Sequence, residues 1–116
     1  MKLSKKLVMV MKFGYDSLGT WEPVSVGTPS SGNLVNGSGA AINRALKLGY
    51  ISIQVNGCSD NTTIELGMSK AGSVRIPIYA YDHYNNKMVD CWIEGNKITV
   101  FEGSSVVRMF LIFPVK

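Results

Sequence analysis

The last run of the chain, Val106-Val107-Arg108-Met109-Phe110-Leu111-Ile112-Phe113-Pro114-Val115-Lys116, is apolar at both parities of a two-residue repeat, with one arginine as the exception. A strand with one wet face alternates apolar and polar residues, whereas a strand covered on both faces need not. This segment is therefore expected in the middle of a sandwich core, or between a core and a subunit interface, rather than as a free tail. Such a pattern favours a structural or assembly protein over an enzyme.

The remaining strand signals agree on an all-β chain. Tyr50 to Val55 alternates, with Ile51, Ile53 and Val55 on one side, and Asn56-Gly57 follows as a turn signal. Thr63 to Met68 alternates again, with Ile64, Leu66 and Met68 inward. In Val74 to Ala80 the inward set is Val74, Ile76, Ile78 and Ala80, and Pro77 calls for an edge or a bulge because it lacks an amide hydrogen. Asp82 to Asn86 reads as a polar turn, Met88 to Ile93 as a strand, Gly95-Asn96 as a turn, and Lys97 to Phe101 as a short strand before the final one. Upstream, Trp21 to Val26 carries Pro23 and suits an edge, and the Gly- and Ser-rich stretch from Gly27 to Gly39 reads as a long loop. Short strands at regular spacing, with connections too short for crossover helices, predict an antiparallel β-sandwich, jelly-roll-like. Residues 1–20 are read as an N-terminal arm or first strand, carrying the apolar run Leu7 to Phe13, and residues 21–116 as a single β-sandwich domain. Ser38 to Gly49 has two readings. Ser38 can cap a helix that Gly49 ends, and the same residues can run extended into the next strand.

Composition narrows the function. Charged residues make up 17% of 116 residues, below the ~25% usual for soluble domains. So sparse a polar covering implies that some apolar surface is buried against other subunits. The formal net charge of +4 gathers partly in Lys2, Lys5, Lys6 and Lys12, read first as a solvated terminus. The run Leu7 to Met11 is cut by Lys12 and has no small-residue cleavage site after it, so a secretory leader is not expected. No stretch approaches the ~20 apolar residues of a membrane-spanning helix. Cys58 and Cys91 form no metal-ligand motif; a disulfide between them is open to the sequence but not required, and they are read first as buried free thiols.

For catalysis the inventory is poor, and the chain is read as a non-enzyme needing no cofactor. The single histidine, His83, sits in a hairpin-loop sequence, and no nucleophile elbow is present. Gly37-Ser38-Gly39 lacks the rest of a phosphate-cradling fingerprint. Asn61-Thr62-Thr63 matches a glycosylation sequon, a short match that chance often produces. Tyr79, Tyr81, Tyr84 and Trp92 cluster in sequence around one hairpin and are the candidate binding aromatics, able to stack on sugar rings or anchor an interface. The basic residues are not interleaved with aromatics, so nucleic acid is not an expected partner. Arg108, Phe110 and Ile112 are the candidate interface residues of the final strand. Burying Arg108 unpaired would be costly, so it must reach an edge or pair with a carboxylate such as Glu65 or Asp90.

From Gly49 onward the order of features resembles a known group. Gly49-Tyr50-Ile51-Ser52-Ile53 opens a strand, Val74-Arg75-Ile76-Pro77-Ile78 and Lys97-Ile98-Thr99-Val100 follow, and Phe113-Pro114-Val115-Lys116 closes an aromatic-Pro-x-Lys strand. This resembles the small trimeric β-sandwich domains of bacteriophage fibre heads and capsid decoration proteins. The resemblance implies a homotrimer on a virion, in contact with other virion proteins through the basic arm from Met1 to Lys12. It also implies an extended approach to the Gly-Tyr strand, which decides Ala40 to Leu48 for extension. The 48 residues before the matched part hold no shaft-like repeat, which suits a short auxiliary protein or knob better than a long fibre. Two other functions are carried beside it: a carbohydrate- or receptor-binding knob, with a host-surface glycan as partner, and a small ligand-sequestering or inhibitory phage protein.

Overall fold

A computed structural model describes residues 19–116, which form two antiparallel sheets packed face to face. The strands are β1 (Trp21–Val24), β2 (Asn33–Leu34), β3 (Gly39–Asn43), β4 (Leu48–Cys58), β5 (Thr62–Glu65), β6 (Ile76–Pro77), β7 (Tyr79–Asp82), β8 (Lys87–Met88), β9 (Cys91–Glu94), β10 (Lys97–Val100) and β11 (Ser104–Pro114). The larger sheet runs β1-β3-β4-β11-β7-β8, with β2 also paired to β4, and the smaller runs β5-β10-β9-β6. The expected arm and the run Leu7 to Phe13 lie outside the described residues.

From Leu48 on, the pairing nests. β4 pairs β11, β5 pairs β10, β6 pairs β9 and β7 pairs β8, all antiparallel. The whole segment is thus one hairpin ribbon folded over on itself, its tip at His83 to Asn86, and β7–β11 and β9–β10 pairing closes the roll. This is the all-β, jelly-roll-like sandwich expected from the sequence. The ribbon passes from one sheet to the other between β6 and β7 and between β8 and β9. It stays paired through the crossing: the Ile78 N–H donates to the Cys91 carbonyl (2.8 Å) and the Val89 N–H to the Ala80 carbonyl (2.9 Å). Strands that change sheets in this way make the corners of a sandwich.

The crossing corrects two strand boundaries. Val74 to Ala80 is not one strand, and Val74, expected inward, is 73% exposed. Met88 to Ile93 likewise divides into β8 and β9. Pro77 does sit on an edge strand, β6, where its missing N–H leaves no ladder bond unmade. Pro23 lies on the opposite kind of edge, β1, at the rim of the larger sheet. Two further corrections concern turns. The long loop contains the short strand β2, and β4 continues through Asn56-Gly57, where Gly57 takes φ +66° and the alternation breaks before Cys58 turns inward.

Ala40 to Asn43 is extended and no helix forms, but the extended run expected through Leu48 is broken by a turn at Arg44 to Lys47, so that β3 and β4 make a hairpin. Ala40 and Ile42 face the core, and the reversal at Arg44 to Lys47 is held by the Leu46 N–H donating to Asn43 Oδ1 (3.0 Å), with Lys47 in the left-handed region (φ 54°). Helix propensity loses here because the period-two pairing with β4 buries Ala40 and Ile42 against Ile51 and its neighbours. The core lies between the sheets. Ile51, Ile53, Val55, Val107, Met109 and Phe113 come from the larger, and Ile64, Ile93, Ile98 and Val100 from the smaller. Each such side chain contributes roughly 1.5–3 kcal/mol by leaving water.

Candidate functional site

β11 has one dry face and one open face. Val107, Met109 and Phe113 point into the core, whereas Arg108, Phe110 and Ile112 point out, with Phe110 47% and Ile112 51% exposed. Among the described residues, then, the final strand is covered on a single side. The second apolar parity lies on the outer face of the larger sheet, and cross-strand register gathers more apolar residues around it. Ile112 stands beside Tyr50, Phe110 beside Ser52 and Tyr79, and Arg108 beside Gln54 and Tyr81. Trp21, on edge strand β1, is 46% exposed and turns its ring towards Tyr50 (centroids 6.3 Å, planes at 68°). Tyr50 in turn meets Phe110 edge to face, at 5.4 Å and 85°. Three rings from three strands therefore form a continuous aromatic ladder across this face, flanked by Ile112. Trp21 and Tyr50 were not singled out from sequence. Tyr50 sits at an outward position of an alternating strand, and that parity was the available signal.

Towards the Arg108 end the face hollows into a groove of about 430 Å³. β2 and β3 lie end to end along one edge of β4, and the residues between them, Val35 to Ser38, swing outward to make one wall. That wall is fastened at Gln54: the Val35 N–H donates to the Gln54 carbonyl (2.9 Å), and the Gln54 N–H donates to Ser38 Oγ (3.0 Å). Tyr79 and Phe110 form the opposite wall, and Ser52, paired with Gly39, keeps the floor low. Arg108 stands in the groove with its Nε–H donating to Gln54 Oε1 (3.0 Å), while the Gln54 amide nitrogen donates to Asn56 Oδ1 (3.2 Å). The expected carboxylate partner is replaced by a neutral amide. No carboxylate of the described residues pairs with Arg108, and Glu65 belongs to the other sheet.

The four hairpin aromatics do not share one surface. Tyr79, 59% exposed, and Tyr81 lie on the outer face beside Phe110 and Arg108. Tyr81 donates its hydroxyl to Asn86 Oδ1. Tyr84 stacks on His83 at the ribbon tip (centroids 5.0 Å). Trp92 is on the smaller sheet, under the Arg75 guanidinium at 4.5 Å, with its indole N–H donating to Asp90 (2.7 Å). Sequence adjacency misleads here because the ribbon changes sheets between β8 and β9.

The buried polar groups have structural explanations. Asp82 has no solvent exposure, and its carboxylate accepts from Ser104 Oγ, Asn85 Nδ2 (2.7 Å) and the Tyr84 N–H (3.0 Å). The Ser104 hydroxyl first, and then the Asn85 amide, hold its pKa down to about 2. Lys70 is buried with its ammonium donating to the Ala71 (2.6 Å) and Gly72 (3.3 Å) carbonyls. Cys58 and Cys91 are buried free thiols, and burial pushes Cys91 up to about 12. Among the described residues no group of three or more His, Cys, Asp or Glu is arranged to hold a metal ion, and no helix is long and apolar enough to cross a membrane.

Comparison with protein-family models, curated proteins and solved structures finds no match to this chain.

Proposed function

We propose that this is a non-enzymatic structural protein that self-associates through the outer face of its larger sheet. The observation that carries the reading is the ladder Trp21–Tyr50–Phe110 with Ile112 beside it, in which Trp21, Phe110 and Ile112 are about half-open to water and Tyr50 is partly buried between the other two rings. Contiguous exposed apolar surface on a small domain marks an association site, and aromatic side chains are the usual anchors of one. The low charge content supports the same conclusion, since a protein that buries part of its surface against copies of itself needs fewer solvating groups. A closed symmetric assembly presents the same patch from every copy. The resemblance of Gly49 to Lys116 to trimeric β-sandwich domains of phage particles supports a homotrimer on a virus particle, as a capsid decoration protein or a head-fibre component, with virion proteins as its further partners.

Light scattering at tens of micromolar tests the assembly. The expected mass is three times the 12.7 kDa of one chain, and Ile112→Lys is expected to return it to one. A wild-type protein with the mass of one chain at that concentration overturns the reading. Co-purification of the protein with particles tests the virion role separately.

A second reading has its own observation: the groove beside Arg108 is built as a ligand site is, with one polar wall, one aromatic wall and a fixed cation. This supports the carbohydrate-binding alternative, and it relocates that alternative from the ribbon tip to the sheet face.

A further inference from the structure

We infer that the groove between the Val35–Ser38 loop and the Tyr79–Phe110 wall binds an acidic sugar, with the Arg108 guanidinium taking the sugar's carboxylate and the Tyr79 ring stacking on its pyranose face. This deepens the second reading and rests on it. The ladder extends from Phe110 towards Ile112 and the groove from Phe110 towards Arg108, so the two share Phe110 and otherwise occupy different stretches of β11.

Three observations converge on this class of ligand. The first is the cation. Arg108 lines the groove and donates its Nε–H to Gln54, which leaves its two terminal nitrogens without a carboxylate among the described residues. A planar fork held in this way matches a carboxylate with two parallel hydrogen bonds. Gln54 is itself oriented by Asn56, so the fork is placed before any ligand arrives. The second is the wall. Tyr79 and Phe110 are neighbours across β7 and β11, and Tyr79 is 59% exposed. An aromatic face of this kind packs against the apolar C–H face of a pyranose while its hydroxyl stays wet. The third is the opposite side, where the side-chain amide of Asn36 and the hydroxyl of Ser52 supply the mixed donors and acceptors that sugar hydroxyls require. A volume of about 430 Å³ accommodates one or two rings. An acidic peptide would use the fork but would leave the ring face and the hydroxyl-lined wall without a purpose.

Calorimetric titration of the full chain with sialyllactose, with a glucuronate-containing tetrasaccharide and with lactose tests the inference. At least one acidic sugar is expected to bind tenfold or more tightly than lactose, with an affinity that falls as salt rises. Arg108→Gln is expected to abolish that preference, Arg108→Lys to reduce it, and Tyr79→Ala to weaken all sugars together. Arg75→Gln, on the other sheet, is expected to leave binding unchanged and serves as a charge control. Arg108 and Tyr79 are exposed, so these variants fold, and their melting temperatures verify it. Equal binding of lactose and the acidic sugars, no binding of either acidic sugar, retention of the preference in Arg108→Gln, or preferential capture of an acidic peptide overturns the inference. Because binding is read per chain, a protein that binds as a monomer sinks the assembly reading and leaves this one standing.

Discussion

The ring of Phe110 stands edge-on to that of Tyr50, with centroids 5.4 Å apart and planes at 85°, on a sheet face that the described residues leave partly open to water. The pair joins the final strand to β4 on its outer side, just where the inner side is joined by the packing of Met109 and Ile53 in the core. Edge-to-face pairs of this geometry are worth about 0.5–1.5 kcal/mol beyond the area they bury. A double-mutant cycle with Tyr50→Ala and Phe110→Ala, read by urea unfolding of the Ile112→Lys background, is expected to give a coupling in that range. A coupling of zero would show that the two rings are independent.

Asp82 predicts how the fold responds to acid. Its folded pKa, about 2, lies below the usual carboxylate value, so its contribution is complete above about pH 4 and is lost as pH falls from there towards 2. Wild-type melting temperature is expected to drop across that interval. Asp82→Asn is expected to melt lower at neutral pH, and to lose less of its stability between pH 4 and 2 than the wild type does. A variant with the wild-type acid profile would assign the acid response to other carboxylates.

Both thiols are shielded, and Cys91, pushed up to about 12, is held as the neutral thiol at any physiological pH. A disulfide-exchange reagent at pH 8 is expected to label neither cysteine in the native protein on the minutes timescale, and to label both in guanidinium. Rapid labelling of one equivalent in native buffer would contradict their burial.

Gly49 precedes Tyr50 with its α-carbon against the core. A β-carbon there would stand 2.8 Å from Val115 Cγ1, 2.9 Å from the Met68 sulfur and 2.9 Å from Phe113 Cζ. Gly49→Ala is therefore expected to destabilise the fold by about 1–3 kcal/mol through overpacking. Gly37→Ala makes the useful contrast. No atom of the described residues lies within 4 Å of its β-carbon position, so its cost comes only from φ +92°. Equal denaturation midpoints for wild type and Gly49→Ala would show that this corner of the core is loosely packed.

Period-two alternation made β4, β5 and the core face of β11 legible, because Ile51, Ile53, Val55, Ile64, Val107 and Met109 each sit at the parity the pattern assigns. It failed at Val74. Four apolar residues spaced by two look like one strand, yet the chain changes sheets at Ile78, and a bend between sheets leaves no trace in parity. The open face was half legible. The second apolar parity of β11 announced Phe110 and Ile112, whereas Trp21 and Tyr50 join them only through the register of β1, β3 and β4. The groove was not legible at all. Its outer wall, Val35 to Ser38, is a polar loop whose position depends on hydrogen bonds to Gln54, far away in the chain. Arg108 looked like a charge in need of a carboxylate, because an amide partner such as Gln54 leaves no electrostatic signal in a sequence.

The nesting of β4 with β11, β5 with β10, β6 with β9 and β7 with β8 about a single tip has a practical corollary. Severing the backbone between Tyr84 and Asn85 would divide every one of those four pairings between two fragments. Neither piece could complete a sandwich by itself, and each would carry the missing half of the other. The molecule is thereby laid out as a two-part complementation system, in which reconstitution reports that the fragments have met.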